Sequence, residues 1–295
     1  MFKEKLVITY HALTPVHFGS GVSLSYVDNA IQREKHTDYP MLAGSGIKGA
    51  IRELASRAWQ DKDKVSAIFG PEAGENSSAY ASCISFTDAK ILLFPVRSVR
   101  GVFAWITSPY VLKRFKSELE SLGFRIEVEI PPDVDDSKVV ICNSSSVLKI
   151  DDSKVAFEEF IFEVEGSSNA DAIATNLKKY LPYELQNDFE SRFAIVSDNV
   201  FRDFVKYAVE IRTRIRINQT TGTVEQGGLF TVELVPAEAV FYGFVFITDP
   251  YNKTQNLNDS SAVKNEICSL FKDYSIIQFG GDETLGMGLM KVNVY

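Results

Sequence analysis

Apolar positions change their spacing several times along the chain, and each change marks an element. Residues 4–13 alternate with period two through VITYHAL, which predicts a strand in a half-buried sheet position. A loop containing Gly and Ser, TPVHFGSGVS, follows over 14–23. From Gly46 the spacing turns helical. Ile47, Ala50, Ile51, Leu54, Ala55 and Ala58 fall at i, i+3, i+4, i+7, i+8 and i+11, one face of an amphipathic helix. Lys48 and Arg52, four apart, share a different face. Gly44-Ser45-Gly46 supplies a turn at the start of this helix, with Ser45 as its cap.

KVSAIFGP (64–71) predicts the end of a second short helix at a Gly-Pro stop. Residues 74–82 read as a loop, 83–96 as β-rich and 109–123 as a helix. Residues 124–166 mix short strands with acidic turns such as PPDVDD, and 168–181 and 199–208 predict helices. Residues 207–236 predict a long hairpin. In it Arg212, Arg214 and Arg216 alternate with Ile211, Thr213, Ile215 and Ile217, so a strand points all three guanidiniums one way. An apolar strand (239–248), a helix (257–273) and a Gly-rich loop between two short strands, IIQFGGDETLGMGLMKVNVY, complete the chain. No repeat or low-complexity linker divides it, so one domain over 1–295 is expected. The order of elements fits an α+β fold, and a βαββαβ ferredoxin-like core with large insertions is one arrangement that satisfies it.

Composition narrows the function classes. With 295 residues, 45% of them hydrophobic, a sizeable core is within reach. There is no run of about 18 apolar residues, so no membrane span is expected. MFKEKLVITYHALTP reads as a strand rather than a signal peptide. Cys83, Cys142 and Cys268 have no metal spacing and read as buried thiols of a reducing cytoplasm. His11, His17 and His36 are too few and too spread for a histidine metal site. The net charge of -8 argues against a general nucleic-acid coat, so any RNA contact must come from local basic patches.

Four stretches carry candidate chemistry. AGSGIKGAIRE joins a Gly-rich turn to a helix start, where backbone N–H groups, the helix dipole and Lys48 would favour a phosphodiester. A capped helix with a solvated basic face is the plainer alternative. FGGDETLGMGLMKV holds Gly280 and Gly281, which permit close approach to a ligand or simply make a tight loop. The arginine strand can grip phosphates, stack on bases or form a solvated face. Asp28, beside Asn29, is either a turn former or a ligand for Mg²⁺ or a base-like group near a scissile phosphate. Glu233 reads as a solvated or edge residue and His17 as a packed loop histidine.

Taken together these stretches resemble the RAMP superfamily of CRISPR proteins, and more closely the repeated backbone subunit of type III-B (Cmr) effector complexes. The matching stretches are LTPVHFGSG (13–21), VDNAIQRE (27–34), YPMLAGSGIKGAIRE (39–53), IFGPE (68–72), ISFTDAKILLFPVRSVRGVFAWITSP (84–109), RIRINQTTGTVEQGGLFTVELVP (214–236) and FGGDETLGMGLMKV (279–292). Residues 124–206 carry less of the match.

The resemblance implies a modified ferredoxin-like (RRM-like) core with insertions within 60–206 and a protruding β-hairpin thumb within 212–233. It implies copies stacked in a helical filament along one CRISPR guide RNA, with other Cmr subunits and a single-stranded target RNA as partners. It implies an endoribonuclease, active in the assembled complex, that cuts the target at six-nucleotide spacing and depends on Mg²⁺ or Mn²⁺. Carried onto this sequence, Asp28 is the catalytic aspartate and metal ligand. Glu233 and His17 lie in matching motifs near the cut, and Ser45, Lys48 and Arg52 hold guide phosphates. Arg212, Arg214, Arg216, Gly280 and Gly281 are further RNA-binding candidates. A non-catalytic scaffold coating guide RNA is the alternative reading. A guide-processing RNase ranks last, because no histidine pair for acid–base work is visible.

Overall fold

The computed structural model describes residues 2–22, 27–72, 80–166, 168–253 and 256–295. The elements in chain order begin with β1 (Glu4–Ala12), β2 (Gly19–Val22), β3 (Asn29–Ile31), β4 (Met41–Leu42), α1 (Gly44–Trp59) and α2 (Lys62–Phe69). There follow β5 (Ile84–Phe86), β6 (Ala89–Ser98), β7 (Val102–Thr107), α3 (Pro109–Ser121), β8 (Lys138–Ile141), β9 (Lys154–Phe157) and β10 (Phe160–Gly166). Next come α4 (Ser168–Lys178), the single turns α5 (Tyr183–Gln186) and α6 (Phe189–Arg192), β11 (Phe193–Ile195) and α7 (Asp198–Tyr207). The last are β12 (Glu210–Ile217), β13 (Val224–Leu234), β14 (Val240–Ile247), α8 (Ser260–Asp273), β15 (Ile276–Gln278) and β16 (Leu289–Val294). The loop expected over 74–82 falls largely outside the described residues.

The fold is a mixed α+β arrangement around a large sheet of twelve strands, ordered β15-β16-β1-β14-β6-β7-β11-β8-β10-β9, with β4 on β6 and β5 on β14. Strand β1 pairs antiparallel with both β14 and β16, and β14 pairs antiparallel with β6. Ser98 of β6 also pairs with Phe157 of β9, so the half of the sheet from β6 to β9 closes on itself. A second sheet of four strands, β12-β13-β3-β2, carries the hairpin.

Helix α1 follows its apolar stripe: Ile47, Ile51 and Ala55 are fully buried, with Ala50, Leu54 and Ala58 packed at the edge of the core. Each fully buried isoleucine of this kind contributes about 1.5–3 kcal/mol relative to an exposed one. The alternation in β1 predicted a half-buried strand, and here the structure corrects it. As a central strand between β14 and β16, β1 is buried on both faces from Leu6 onward, Thr9 and His11 included. The polar His11 is accommodated by Glu238, whose Oε2 lies 2.9 Å from Nε2.

Ser45 does not cap α1. The helix begins at Gly44, the N-cap is Ala43 without a side-chain bond, and the carboxylate of Asp88 accepts the Gly44 N–H at 2.7 Å. Asp88 stands just ahead of β6, so the cap of α1 comes from a distant strand and not from the helix's own sequence. The predicted hairpin forms as β12 and β13, paired from Glu210↔Leu234 outward with an irregularity between Ile215 and Ile217. At its base β13 pairs in parallel with β3 through Val232↔Asn29, which fixes the 27–31 stretch against the hairpin.

Candidate nucleic-acid interface

Four segments distant in sequence meet at the hairpin base. His17 Nδ1 lies 2.8 Å from the Glu233 carbonyl. A carbonyl only accepts, so Nδ1 carries the proton and, in the neutral ring, Nε2 is the acceptor. The His17 carbonyl in turn accepts the Gly281 N–H at 2.9 Å. Gly280 has φ +81°, and a Cβ there would stand 2.4 Å from the His17 carbonyl oxygen. Gly288 has φ +74°, and a Cβ would stand 1.9 Å from the Phe279 carbonyl oxygen. Both glycines are therefore demanded by the chain's own backbone. Phe18 packs between this loop and the first turn of α1, against Gly280 and Gly46.

The first turn of α1 is a weaker anion site than its sequence suggests. Asp88 already occupies the Gly44 N–H and places negative charge at the positive end of the helix dipole. Ser45 is exposed there. One turn on, Lys48 is partly buried, and burial followed by the nearby Arg52 charge holds its ammonium pKa below the ordinary lysine value. No ion pair joins Lys48 or Arg52 to an acid among the described residues. Arg52 makes only a long 3.4 Å contact from Nη1 to the Phe69 carbonyl. Among the basic residues expected to contact RNA, these two have no acid partner within the described residues.

The hairpin arginines differ. Arg212 and Arg214 do leave one face of β12, toward the Gly-rich loop, but they are engaged there. Arg214 Nη1 lies 2.8 Å from Asp282 Oδ1. Arg212 bonds Glu210 at 2.8 Å and approaches the Met287 sulfur at 3.6 Å. Arg216, at the irregularity, is exposed and sits 3.7 Å from Glu225. The opposite hairpin face carries exposed Ile211, Ile215, Ile217, Val224 and Leu229.

Two carboxylates stand at the base. Glu233 read as a solvated or edge residue and is instead buried, 7% exposed. Its Oε1 lies 2.5 Å from Arg33 Nη2 and its Oε2 accepts the Ile31 N–H at 2.9 Å. Arg33 is itself tied to the carbonyls of Asp38 and Val205. Asp28 is exposed. Its Oδ2 accepts the Thr231 N–H at 2.8 Å and the Thr231 hydroxyl at 2.9 Å. These hydrogen bonds to the charged form, the backbone one foremost, hold the Asp28 carboxyl below the usual carboxylate range. No local pattern points to Thr231, Arg33, Asp88 or Asp282 as partners, since each acts across a long separation in the chain.

The described residues do not build a resident metal centre. No group of three or more His, Cys, Asp or Glu among them could hold an ion. At Asp28 the carboxylate stands without a second acid, and one of its oxygens is already bonded. A Mg²⁺ or Mn²⁺ there would need most of its ligands from RNA phosphates. No described helix is long and apolar enough to cross a membrane.

A profile of the RAMP superfamily matches residues 9–291. A Cmr endoribonuclease Cmr4 of the CRISPR system of Pyrococcus furiosus is 38% identical over 292 residues, covering 98% of this chain and 95% of the relative. The crystal structure of oligomeric Cmr4 from the same organism superposes with a TM-score of 0.75 at 31% identity, over 98% of this chain and 97% of that one. A subunit of the type III-B Cmr-beta complex bound to cognate target RNA shares the fold, with a TM-score of 0.76 at 21% identity and coverage of 99% and 98%. On the match over 9–291 and the identity along nearly its whole length, this chain belongs to the RAMP superfamily.

Proposed function

We propose that this chain is the repeated backbone subunit of a type III-B CRISPR effector, holding guide RNA and cutting bound target RNA at six-nucleotide spacing. The observation that carries the reading is Asp28. It is an exposed, ionised carboxylate at the hairpin base of a chain 38% identical to a Cmr endoribonuclease. The strand order β16-β1-β14-β6, with α1 between β1 and β6 and α8 between β14 and β16, supports a modified ferredoxin-like core. The exposed β12–β13 hairpin supports a thumb within 212–233, and the family match over 9–291 supports one domain. Other complex subunits, further copies in a filament and a cytoplasmic setting belong to the same reading.

Base pairing between guide and target supplies sequence choice, and the protein holds ribose-phosphate. Lys48 and Arg52, which have no acid partner among the described residues, are the α1 cations for guide phosphates. Ser45 and the Gly280–Gly281 turn sit beside them, and Arg212, Arg214 and Arg216 border the target side. A target nucleotide unstacked by the hairpin can align its ribose 2′-OH with its own phosphate. The 2′-oxygen releases its proton to water and forms the new P–O bond as the P–O5′ bond breaks. The products are a 2′,3′-cyclic phosphate and a 5′-OH that takes up a proton from water.

A carboxylate held below its usual pKa range is a poor proton acceptor and a good hydrogen-bond acceptor. Asp28 therefore orients the 2′-OH rather than storing its proton. His17 and Glu233 act one step back, His17 by bonding the Glu233 carbonyl and Glu233 by fixing Ile31 and Arg33. No step is assigned to a metal ion, because the described donor set does not fit a resident one.

The test is Asp28→Ala in the assembled complex with guide RNA. Target affinity should stay and cutting should fall by at least about a hundredfold, as for loss of an orienting group. Cutting at the normal rate would remove Asp28 from the reaction. One observation favours the scaffold alternative: the Thr231 bonds could make Asp28 a structural clasp only, in which case no six-nucleotide ladder of products forms even in the unaltered complex.

A further inference from the structure

We propose that Thr231 is a positioning residue for the reaction, orienting the Asp28 carboxylate through its hydroxyl. The proposal rests on the reading of Asp28 as the group beside the scissile phosphate. An exposed aspartate would ordinarily sample several side-chain rotamers. Here both described bonds to the carboxylate fall on Oδ2, one from the Thr231 N–H and one from its hydroxyl. The same hydroxyl oxygen accepts the Asp28 N–H at 3.1 Å. One threonine thus grips the main chain and the side chain of Asp28 together. Its own χ1 is restricted by β-branching, so the grip is stiff.

Anchoring one carboxylate oxygen fixes the plane of the group. The second oxygen, Oδ1, is what these bonds leave for a ribose hydroxyl. The anchor is itself well held, because Val232 next to Thr231 pairs with Asn29 next to Asp28. Thr231 also lies on β13, which runs on to the hairpin tip. Any displacement of that strand by bound RNA passes directly to the carboxylate, which couples the hairpin's position to the orientation of Asp28.

The experiment compares Thr231→Val, Thr231→Ser and Asp28→Asn with the unaltered chain, all in the assembled complex. Single-turnover cutting and target affinity are measured side by side. Valine keeps the shape and β-branching and removes only the hydroxyl. It should slow cutting by about ten- to a hundredfold with affinity unchanged, the size expected for a misplaced catalytic group. Serine, which restores the hydroxyl, should return cutting to within about threefold of normal, and Thr231→Val should add little to Asp28→Asn in the double variant.

If Asp28→Asn cuts normally, the reading of Asp28 fails and Thr231 goes with it. If Asp28→Asn is inactive while Thr231→Val cuts normally, only the Thr231 role is overturned. Equal slowing by valine and serine would show that the hydroxyl is not the cause. Loss of target binding by Thr231→Val would make the residue structural and overturn the proposal as well.

Discussion

Two carboxylates at the base of the β12–β13 hairpin, Asp28 and Glu233, are held beside the same strand by opposite means. Glu233 is closed. Both of its oxygens are spoken for by Arg33 and the Ile31 N–H, and it is buried. Asp28 is open, with its described bonds on one oxygen and the group exposed. Motif position had set them side by side as acids near a cut. What separates them is how many oxygens the protein itself consumes, and only the open one can touch a substrate. The cations divide in the same way. Arg33 and Arg214 are closed by Glu233 and Asp282, whereas Lys48 and Arg52 have no acid partner among the described residues.

The largest effect that sharpens this contrast is Glu233→Ala. Removing one member of a buried pair leaves the other charge stranded, which costs about 3–5 kcal/mol in general. Arg33 keeps the Asp38 and Val205 carbonyls, so about 3 kcal/mol of lost stability is expected in urea unfolding of the isolated chain. Asp28→Ala, by contrast, should leave the unfolding midpoint nearly unmoved. Equal destabilisation by the two would erase the distinction between closed and open.

Arg214→Ala comes next. Its guanidinium is about four-fifths buried and lies 2.8 Å from Asp282, itself about three-quarters buried. That places the pair between surface and interior, so a loss of about 1 kcal/mol is expected. Because the charge is already neutralised by Asp282, RNA affinity of the assembled complex should change less than for a free cation. A larger loss of affinity than of stability would mean that RNA draws Arg214 away from Asp282.

Much of the fold was legible because it is written in local spacing. The apolar stripe placed α1, and the alternating Arg and Ile of β12 placed the hairpin with its two unlike faces. The site was legible only as a set of residue types. Asp88 capping α1, Arg33 closing Glu233 and Asp282 closing Arg214 all join residues far apart in sequence. No periodicity encodes such pairs. The same holds for β1, whose Thr9 and His11 look solvent-facing until β14 and β16 flank the strand on both edges and the core covers both faces. A polar side chain in a strand reports its face only when one face is wet.

The smallest expected effect on stability, and the most telling for the interface, is that of Lys48→Ala. Lys48 is partly buried without an acid partner, and burial with the Arg52 charge depresses its pKa. The sign follows from linkage: a lysine whose folded pKa is depressed binds its proton less tightly folded than unfolded. Its charge therefore opposes folding below the folded pKa, and that penalty lifts as pH rises through it. Removing the charge at neutral pH should leave stability within about 0.5 kcal/mol, with the methylene stem's lost packing set against the relieved repulsion. RNA binding should respond in the other direction. Affinity of the assembled complex should fall, and the slope of log affinity against log salt should shrink by about one phosphate contact. The depressed pKa adds a further expectation: raising the pH should weaken guide binding earlier than it would for an ordinary lysine, and Lys48→Arg should remove that pH dependence. A Lys48→Ala chain with unchanged salt slope would place the guide phosphates elsewhere, and would leave Arg52 as the one open cation of α1 to account for them.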